Sequence, residues 1–358
     1  MPAHVTKPVV EHPAPSNLVT TDQLLDDIRT HTRDDTGADH PSYPVWERLI
    51  RNTGVQQRHL AYPLDHPALT DQTGDVDRNA HAWEATKNLA EKAARRAITE
   101  VGLRPEDIGT IITSHTTSWA VPNLDIHLIN TLGLRPTVRR YAQTTLACIG
   151  GTQSLAKAAD FLAARPDSPV LVVVAEDISN ACWHPGDTGN IDQIYKSLFG
   201  DSAGACIVTS EPLAPGLRVD DSWEYLLPDS QDKSYWGEMH AGRFFFRSTR
   251  EATRGPGLVM PHLEEWLKAQ GVLPADFALV HAGGPAIFHA VQEGLGLTDE
   301  QMRHTLASIR ETGNLGGISV LDVLRRTHDT PPADGDRGFA LAYGPGFTTT
   351  ALTGTWIG

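Results

Sequence analysis

Cysteine is scarce in this chain of 358 residues. Its three cysteines, Cys148, Cys182 and Cys206, are odd in number and include no C-x-x-C pair. Such a set supports neither a disulfide framework nor a structural zinc site. Free thiols are typical of a reducing compartment, so we expect the protein to be cytoplasmic.

Long apolar runs are equally absent. The longest strongly apolar run, residues 170–175, is far too short to cross a bilayer. The N-terminal segment contains prolines and charges but lacks the apolar core of a signal peptide. We therefore expect no membrane association, and we expect roughly the first twenty residues to form an arm rather than a packed element.

A surplus of positive charge is missing as well. The chain carries 30 Lys and Arg against 44 Asp and Glu, a formal net charge of −14. Because a general nucleic-acid-binding protein is expected to show a basic surplus, we expect no nucleic-acid partner. Hydrophobic residues make up 40% and charged residues 21%, which predicts a soluble protein with a large core, in one domain or two fused halves.

What the sequence does contain is an alternation of helical and strand patterns. Helical spacing of apolar residues predicts a long helix at 78–101. The same series contains predicted strands at 108–114 and 169–176 and predicted helices at 124–132 and 150–164. Continuous apolar strands between helices indicate parallel strands covered on both faces, which is typical of an α/β fold.

A second, similar series follows residue 213. Its predicted elements are a strand at 277–281, helices at 285–295, 299–310 and 318–326, and a strand-rich end at 339–357. Both series end on a glycine-containing turn followed by a strand. We therefore predict two related α/β halves, residues 1–213 and 214–358, that share one core. Segment 214–262 shows no regular pattern.

Cys148 lies between an apolar strand and a glycine-rich helix start, in Thr145-Leu-Ala-Cys-Ile-Gly-Gly. Backbone N–H groups and the positive end of a helix dipole lower the pKa of a thiol and favour the thiolate. The glycines permit a tight turn and the close approach of a substrate. The alternative is a buried structural cysteine, which is the more common case and which the local sequence favours somewhat.

Two polar residues of the second half lie at comparable turns. His281 ends an apolar strand before Ala-Gly-Gly-Pro, a position suited to a pocket, although it is one of 16 histidines and can equally be a hydrogen-bonded turn residue. Asn314 lies in Glu311-Thr-Gly-Asn before a helix, where an ordinary N-cap is the alternative. Taken singly, each residue is weak support for an active site.

A competing motif is Gly200-Asp-Ser-Ala-Gly, which fits the G-x-S-x-G nucleophile elbow of serine hydrolases. That elbow requires a strand before the serine and a helix after it. Around Ser202 the order is reversed, because residues 191–198 read as a helix and 205–209 as a strand. We interpret these glycines as turn and packing positions, and a serine hydrolase using Ser202 is a remote alternative.

Taken together, five glycine-containing motifs are more specific than any one of them. In chain order they are Cys148-Ile-Gly-Gly, Leu198-Phe-Gly-Asp, His281-Ala-Gly-Gly-Pro, Glu311-Thr-Gly-Asn and Tyr343-Gly-Pro-Gly. This series resembles the type III polyketide synthases, the chalcone and stilbene synthase-like family of the thiolase superfamily. Asn52-Thr-Gly-Val and Leu132-Gly-Leu-Arg-Pro are similar to bacterial members. The resemblance covers roughly residues 45–355 and is weakest over 214–262.

The resemblance implies a thiolase-like fold, in which two α/β halves form a layered αβαβα core, and a homodimer without metal or other cofactor. It implies catalytic roles for Cys148, His281 and Asn314. The substrate-pocket and coenzyme A-binding positions that it implies are Phe199, Phe245, Thr117, Ser118, Trp119, Val121, Gly316 and Arg58. Phe199 matches a gatekeeper aromatic and Val121 a position that reaches across the dimer, whereas Phe244 or Phe246 can replace Phe245.

Trp119 departs from the family pattern, because plant members carry a smaller residue there, and it is expected to reshape the pocket. The function implied by the resemblance is decarboxylative condensation of malonyl-CoA-type extender units onto an acyl-CoA starter held on Cys148, followed by cyclisation or release. The main alternative is a ketoacyl synthase III-like acyltransferase that forms an ester or amide. A non-enzymatic binding protein ranks last, since it leaves the ordered motifs unexplained.

Overall fold

The computed structural model describes residues 2–70, 77–184, 187–240 and 243–358. The strands are β1 (Ala3–Val5), β2 (Val9–Glu11), β3 (Leu18–Thr20), β4 (Gln57–His59), β5 (Thr110–His115), β6 (Arg139–Thr144), β7 (Val170–Glu176), β8 (Ser202–Thr209), β9 (Gly216–Leu226), β10 (Tyr235–His240), β11 (Arg243–Ser248), β12 (Phe277–Val280), β13 (Arg337–Gly344) and β14 (Thr348–Ile357). The helices are α1 (Thr21–Thr32), α2 (Tyr43–Asn52), α3 (Pro67–Thr70), α4 (Arg78–Glu100), α5 (Leu124–Leu132), α6 (Gly150–Ala164), α7 (Ser179–Cys182), α8 (Asn190–Leu198), α9 (Gly255–Ala269), α10 (Pro285–Leu295), α11 (Asp299–Thr312) and α12 (Ser319–Thr327).

Ten strands of the described ranges form a mixed sheet in the order β12-β13-β14-β9-β1-β8-β7-β5-β6, with β2 also paired to β8. In the first half β5 runs parallel to β6 and β7, and β8 runs antiparallel to β7. In the second half β12 runs parallel to β13, and β14 and β9 continue antiparallel. Strand β1 pairs with β8 on one side and β9 on the other, so it joins the strands of the two halves.

The strands are covered by helices in layers. Helices α6 and α12 contribute to a central apolar cluster that also contains residues of the strands of both halves. Helices α4 and α5 cover the other face of the first half, and α9, α10 and α11 pack with the strands of the second half. The result is the predicted αβαβα arrangement, because helices cover both faces of the main sheet in each half and the two halves share one helical layer.

The N-terminal segment differs from its prediction as an arm. Strands β1 and β2 are part of the main sheet, and Ala3, Val5 and Val9 are buried. Three-residue strands are too short to give a periodic signal, and their neighbouring prolines resemble a loop. They are stable here because β8 and β9 offer free backbone hydrogen-bonding groups at the junction between the halves.

Long periodic elements occur where the sequence predicts them. The helices predicted at 78–101, 150–164 and 285–295 are α4, α6 and α10, with ends that agree within one residue. Segment 214–262, which shows no pattern in the sequence, contains the long strand β9 and the β10–β11 hairpin. In the described ranges, no helix combines the length and the apolar character needed to span a bilayer.

Candidate active site

Cys148 lies in a tight turn between β6 and α6. The turn is a short 3-10 helix, Ala147–Ile149, and both Thr145 and Ala147 have positive φ values, 64° and 49°. Residues other than glycine adopt this region at an energetic cost that the surroundings must supply. One such support is the Ala147 N–H, which donates to the Thr116 hydroxyl at 2.8 Å. The turn holds Cys148 at the N-terminal end of a fifteen-residue helix.

Glycines bring the two halves together behind this turn. A Cβ atom on Gly151 would lie 2.2 Å from the Gly317 carbonyl oxygen, and one on Gly317 would lie 2.9 Å from the Ala147 carbonyl oxygen. Only glycine permits backbones to approach this closely. The contact places the segment that follows Asn314 directly against the nucleophile turn.

His281 and Asn314 are buried side by side at the ends of β12 and α11. The His281 Nε2 atom lies 3.2 Å from Asn314 Oδ1. Asn314 Oδ1 accepts from the Gly316 N–H at 2.9 Å, and Asn314 Nδ2 donates to the Gly283 carbonyl at 3.2 Å. These two backbone partners fix the orientation of the amide, because a flipped amide would oppose donor to donor and acceptor to acceptor.

The backbone of Asn314 is also connected to Phe199. The two residues form a parallel β-bridge, in which the Asn314 N–H donates to the Leu198 carbonyl at 2.7 Å and the Gly200 N–H donates to the Asn314 carbonyl at 3.1 Å. Gly313 has a φ of 73°, and a Cβ atom there would lie 2.7 Å from the Leu198 carbonyl oxygen. Phe199 and Asn314 are therefore held in a fixed relation.

The thiol and the imidazole are each neutral in this environment. Burial, followed by the Glu176 carboxyl, raises the pKa of the Cys148 thiol to about 12, although part of the residue faces the cavity. Burial lowers the pKa of His281 to about 4. The sequence-based expectation of a lowered thiol pKa is therefore not met, because desolvation exceeds the stabilising effect of the helix N-terminus. A neutral imidazole is a competent acceptor for the thiol proton.

Two cavities meet at Cys148. The inner cavity, of about 320 Å³, contains Thr116, Thr117, Glu176 and Gly316 in its wall. The outer cavity, of about 280 Å³, contains His281 and Asn314 together with the apolar α8 and α10. Residues that belong to both walls are Cys148, Phe199, Tyr235, Phe246 and Pro345. Cys148 therefore faces both spaces, and three aromatic residues, Phe199, Tyr235 and Phe246, line both cavities.

Some predicted pocket residues lie away from both cavities. Ser118 is buried against Thr86, with 2.9 Å between the hydroxyls. Trp119 is 54% exposed and lies in neither cavity wall, and its backbone N–H donates to Asn79 Oδ1. Val121 is 93% exposed in this single chain. Thr117, Gly316 and Phe199 do line the inner cavity, as the resemblance implies.

Phe245 lies in neither cavity wall, whereas Phe246, one of the two alternatives left open by the sequence, lines both cavities. Adjacent side chains of a strand point to opposite faces, so only alternate residues of β11 reach the cavities. Phe244 and Phe246 line the inner cavity, whereas the Phe245 ring stacks on His184 and under the Arg247 guanidinium.

Arg58, the predicted coenzyme A contact, is enclosed in the core and lies in neither cavity wall. Its side chain is 0% exposed and donates to the Ser197 carbonyl at 2.7 Å and the Thr21 hydroxyl at 3.0 Å. Burial lowers the pKa of Arg58 to about 10. A guanidinium enclosed in this way ties α8 to the N-terminal elements and cannot reach a phosphate in solvent.

Ser202 belongs to neither cavity wall. It begins the buried strand β8 and pairs in register with Glu176. Its hydroxyl is buried and has no hydrogen-bond partner in the described part of the chain. The serine is therefore not raised on an elbow, and the site gives no support to hydrolase chemistry at this residue.

Sequence reasoning missed Glu176 and Tyr235. Glu176 Oε2 accepts from the N–H groups of Thr116 and Thr117 and from the Thr117 hydroxyl, and burial raises the pKa of the carboxyl. Glu176 Oε1 is buried without a partner among the described residues. The detectable signal was an acidic residue at the end of an otherwise apolar buried strand. Tyr235 gave no signal, because segment 214–262 has no pattern.

A cysteine at the N-terminal end of a helix that shares a cavity wall with a histidine and an asparagine, on a layered αβαβα fold, is typical of condensing enzymes of the thiolase type. The profile described as chalcone and stilbene synthases, N-terminal domain, matches residues 9–212, and that of the C-terminal domain matches residues 268–354. The chain belongs to the chalcone and stilbene synthase family, the type III polyketide synthases.

Relatives of known function extend along nearly the whole chain. Phloroglucinol synthase of Pseudomonas fluorescens is 30% identical over 344 residues, with 96% of each chain covered. The 1,3,6,8-tetrahydroxynaphthalene synthase of Streptomyces griseus is 32% identical over 349 residues, which cover 96% of this chain and 90% of that protein.

Solved structures of type III polyketide synthases also match the chain over nearly its whole length. The crystal structure of 1,3,6,8-tetrahydroxynaphthalene synthase from Streptomyces coelicolor A3(2) superposes with a TM-score of 0.90 at 30% identity, covering 99% of both chains. Germicidin synthase from Streptomyces coelicolor superposes with a TM-score of 0.89 at 30% identity, covering both chains completely. Both are described as type III polyketide synthases.

Proposed function

We propose that the chain condenses a malonyl-CoA-type extender unit, with loss of carbon dioxide, onto an acyl group carried by Cys148. The observation that carries this proposal is the position of Cys148 at the junction of two cavities, with His281 and Asn314 in the wall of the outer one. One space suits the arriving coenzyme A thioester and the other the growing chain. An enzyme that only transfers an acyl group to a small acceptor, without building a chain, requires only one such cavity.

Loading of the starter begins with transfer of the thiol proton to His281. The Cys148 sulfur attacks the thioester carbonyl, the carbon–sulfur bond to coenzyme A breaks, and the leaving thiolate takes up the proton. Asn314 Oδ1, 3.2 Å from His281 Nε2, stabilises the imidazolium that forms transiently. The Cys148 thiol and the His281 imidazole are both neutral in the substrate-free enzyme. The thiolate and the imidazolium therefore form only as the substrate fills the cavity.

Extension uses the same pair as hydrogen-bond donors. When the carboxylate of the extender leaves as carbon dioxide, its electron pair forms an enolate whose oxygen needs donors. The donors proposed for this purpose are the His281 Nε2–H, which is shared with Asn314 Oδ1, and the one Asn314 amide N–H that does not donate to the Gly283 carbonyl. The enolate carbon then attacks the acyl carbonyl on Cys148, which restores the thiolate and lengthens the chain by two carbons. These steps use only side chains of this protein and the thioester substrates, so no resident cofactor is proposed.

The inner cavity is proposed to hold the growing chain. Its wall is mostly apolar, with Phe199, Phe244 and Phe246 among its residues, and it keeps water from the reactive intermediate. The Glu176 carboxyl beside Cys148 can exchange a proton with the chain during cyclisation or release.

The experiment that tests this function supplies the purified enzyme with malonyl-CoA and a panel of acyl-CoA starters. Mass spectrometry should show released coenzyme A and products heavier than the starter by decarboxylated malonyl units. An enzyme that ignores malonyl-CoA but transfers the acyl group to an added alcohol or amine would instead be the ketoacyl synthase III-like acyltransferase.

Phe246 is expected to control which products form. Phe246→Ala joins the two cavities into one larger space, so we expect at least a fivefold change in the ratio of short to long products, since chain length follows the space available. Liquid chromatography with mass detection measures this ratio. Phe245→Ala, one residue away but outside both cavities, is the matched control and should keep the wild-type ratio. The same change in both variants would contradict the assignment.

We also propose that the protein is a homodimer in solution. Strand β6 ends the main sheet, and Tyr141 on it is 38% exposed. Trp119 and Val121, in the loop after the neighbouring strand β5, are large exposed apolar residues. An open sheet edge with adjacent apolar side chains is typical of a surface that pairs with another chain.

Val121→Glu is therefore expected to convert the dimer into a monomer at micromolar concentration, because a charge would be buried at the contact. Analytical ultracentrifugation measures the mass. Leu258→Glu is a matched control, because Leu258 is 58% exposed on α9 in the other half of the fold, and it should leave the dimer intact. A monomeric wild type would refute this part of the proposal.

A cytoplasmic location is proposed on the same chemical grounds. The three cysteines are free, and the proposed reaction requires Cys148 as a reduced thiol. A reducing compartment that also contains coenzyme A thioesters meets both needs.

A further inference from the structure

The β10–β11 hairpin and helix α8 together supply the three aromatic residues that line both cavities. Tyr235 and Phe246 lie on the hairpin, whereas Phe199 is the residue that ends α8. In the described ranges, β10 and β11 pair only with each other and not with the main sheet. Sheet hydrogen bonds therefore do not fix the position of the hairpin relative to α8, and side-chain contacts between β11 and α8 must do so.

Tyr195, one turn before Phe199 on α8, makes contacts of this kind. The centroid of its ring lies 5.8 Å from that of Phe199 and 5.1 Å from that of Phe246, and the latter two centroids are 5.6 Å apart. The Tyr195 hydroxyl is hydrogen-bonded to the Ser248 hydroxyl on β11. Both Tyr195 and Ser248 line the outer cavity. This bond therefore joins α8 to the hairpin on the side that faces the cavity.

A second link joins α8 to the opposite face of β11. Because side chains alternate along a strand, Phe246 and Ser248 face the cavity and Arg247 faces away from it. The Arg247 guanidinium lies 3.3 Å from the carboxylate of Asp192, in the first turn of α8. The Arg247 side chain is partly exposed, and ion pairs in contact with solvent stabilise a contact only weakly. On the cavity side, the attachment depends on the Tyr195–Ser248 bond.

We propose that Tyr195 determines which acyl starters the enzyme accepts, by holding β11 against α8 through Ser248 so that the space between the cavities suits short acyl groups. The inference rests on the proposed function. Phe199 and Phe246 belong to both cavity walls, so an acyl group loaded on Cys148 extends past them into the inner cavity. When the bond is absent, β11 and its Phe246 ring can move away from α8, and a longer acyl chain fits.

The test compares the two ends of a starter panel, acetyl-CoA and dodecanoyl-CoA, with malonyl-CoA as the extender. In Tyr195→Phe, which removes the hydroxyl and keeps the ring, we expect kcat/KM for the long starter relative to the short one to rise about tenfold, the range over which a pocket discriminates by fit. Ser248→Ala should shift the ratio in the same direction. The double variant should shift it no further than Tyr195→Phe alone, because both substitutions remove one bond.

Tyr225→Phe is the matched control, since this half-buried tyrosine stacks on His262 and lies in neither cavity wall. It should keep the wild-type ratio. A wild-type ratio in Tyr195→Phe would overturn the proposal, and so would an equal fall with both starters, which indicates a purely structural role. Additive shifts in the double variant would also overturn it. A wild-type enzyme that extends no starter of the panel with malonyl-CoA would instead overturn the proposed function itself.

Discussion

Replacing Cys148 by alanine is expected to abolish acyl-enzyme formation and to lower product formation by at least about a thousandfold. The sulfur is the atom to which both the starter and every lengthened chain are attached, and no neighbouring group in the cavity walls can replace it. Intact-protein mass spectrometry should show the starter's added mass on the wild type and none on the variant. Malonyl-CoA decarboxylation should remain detectable, because His281 and Asn314 are unchanged.

Two variants serve as controls for this experiment. Cys206→Ala removes a thiol that is buried in the central apolar cluster, and it should load the starter normally. Ser202→Ala tests the hydrolase alternative directly, since this hydroxyl lies in a buried strand outside both cavities. Loss of turnover in Ser202→Ala together with full turnover in Cys148→Ala would refute the condensing mechanism.

Changing Asn314 to aspartate is expected to lower malonyl-CoA decarboxylation by about a hundredfold to a thousandfold. The two side chains have the same shape, and the aspartate can still accept the Gly316 N–H. The variant loses the amide donor, however, and places a negative charge where the enolate oxygen develops. Because Cys148 and His281 remain, loading of the starter should be affected less than decarboxylation. Carbon dioxide release from malonyl-CoA is the measurement.

Asn130→Asp makes the same chemical change on the exposed face of α5 and should behave like the wild type. Folding of Asn314→Asp is checked by circular dichroism and thermal unfolding, since it also loses the donation to the Gly283 carbonyl, a cost of about 1–2 kcal/mol. A folded variant that decarboxylates at the wild-type rate would show that Asn314 is not an oxyanion donor.

The residues that the sequence places correctly share a physical basis. In long helices such as α4 and α6, apolar residues recur at helical spacing over several turns. Many residues of each helix therefore support the same prediction. Cys148, His281 and Asn314 each follow a predicted element and lie at a glycine turn, and turns of this kind have strict local requirements. Local rules therefore sufficed to predict three turn residues that the structure brings to one cavity wall.

The predicted pocket residues that lie outside the cavities differ from the others in side-chain direction. Phe245 and Phe246 are neighbours in sequence and identical in type, yet only the register of the β10–β11 hairpin decides which one reaches the cavities. Arg58 and Trp119 match positions of the family motif, but packing encloses the first in the core and leaves the second at the surface. In each case the deciding contact comes from a segment that is distant in sequence.

By itself, the sequence determined the α/β class and the family, and it predicted the two similar series of elements and the three candidate catalytic residues, because these depend on local periodicity and on short motifs. Only the tertiary structure decided that two cavities meet at Cys148, that the thiol and imidazole are both neutral, and that Phe246 rather than Phe245 lines the cavities. Burial, cavity walls and pKa values depend on which distant segments pack together. That packing depends on many contacts between the two halves, so it cannot be predicted from any single stretch of sequence.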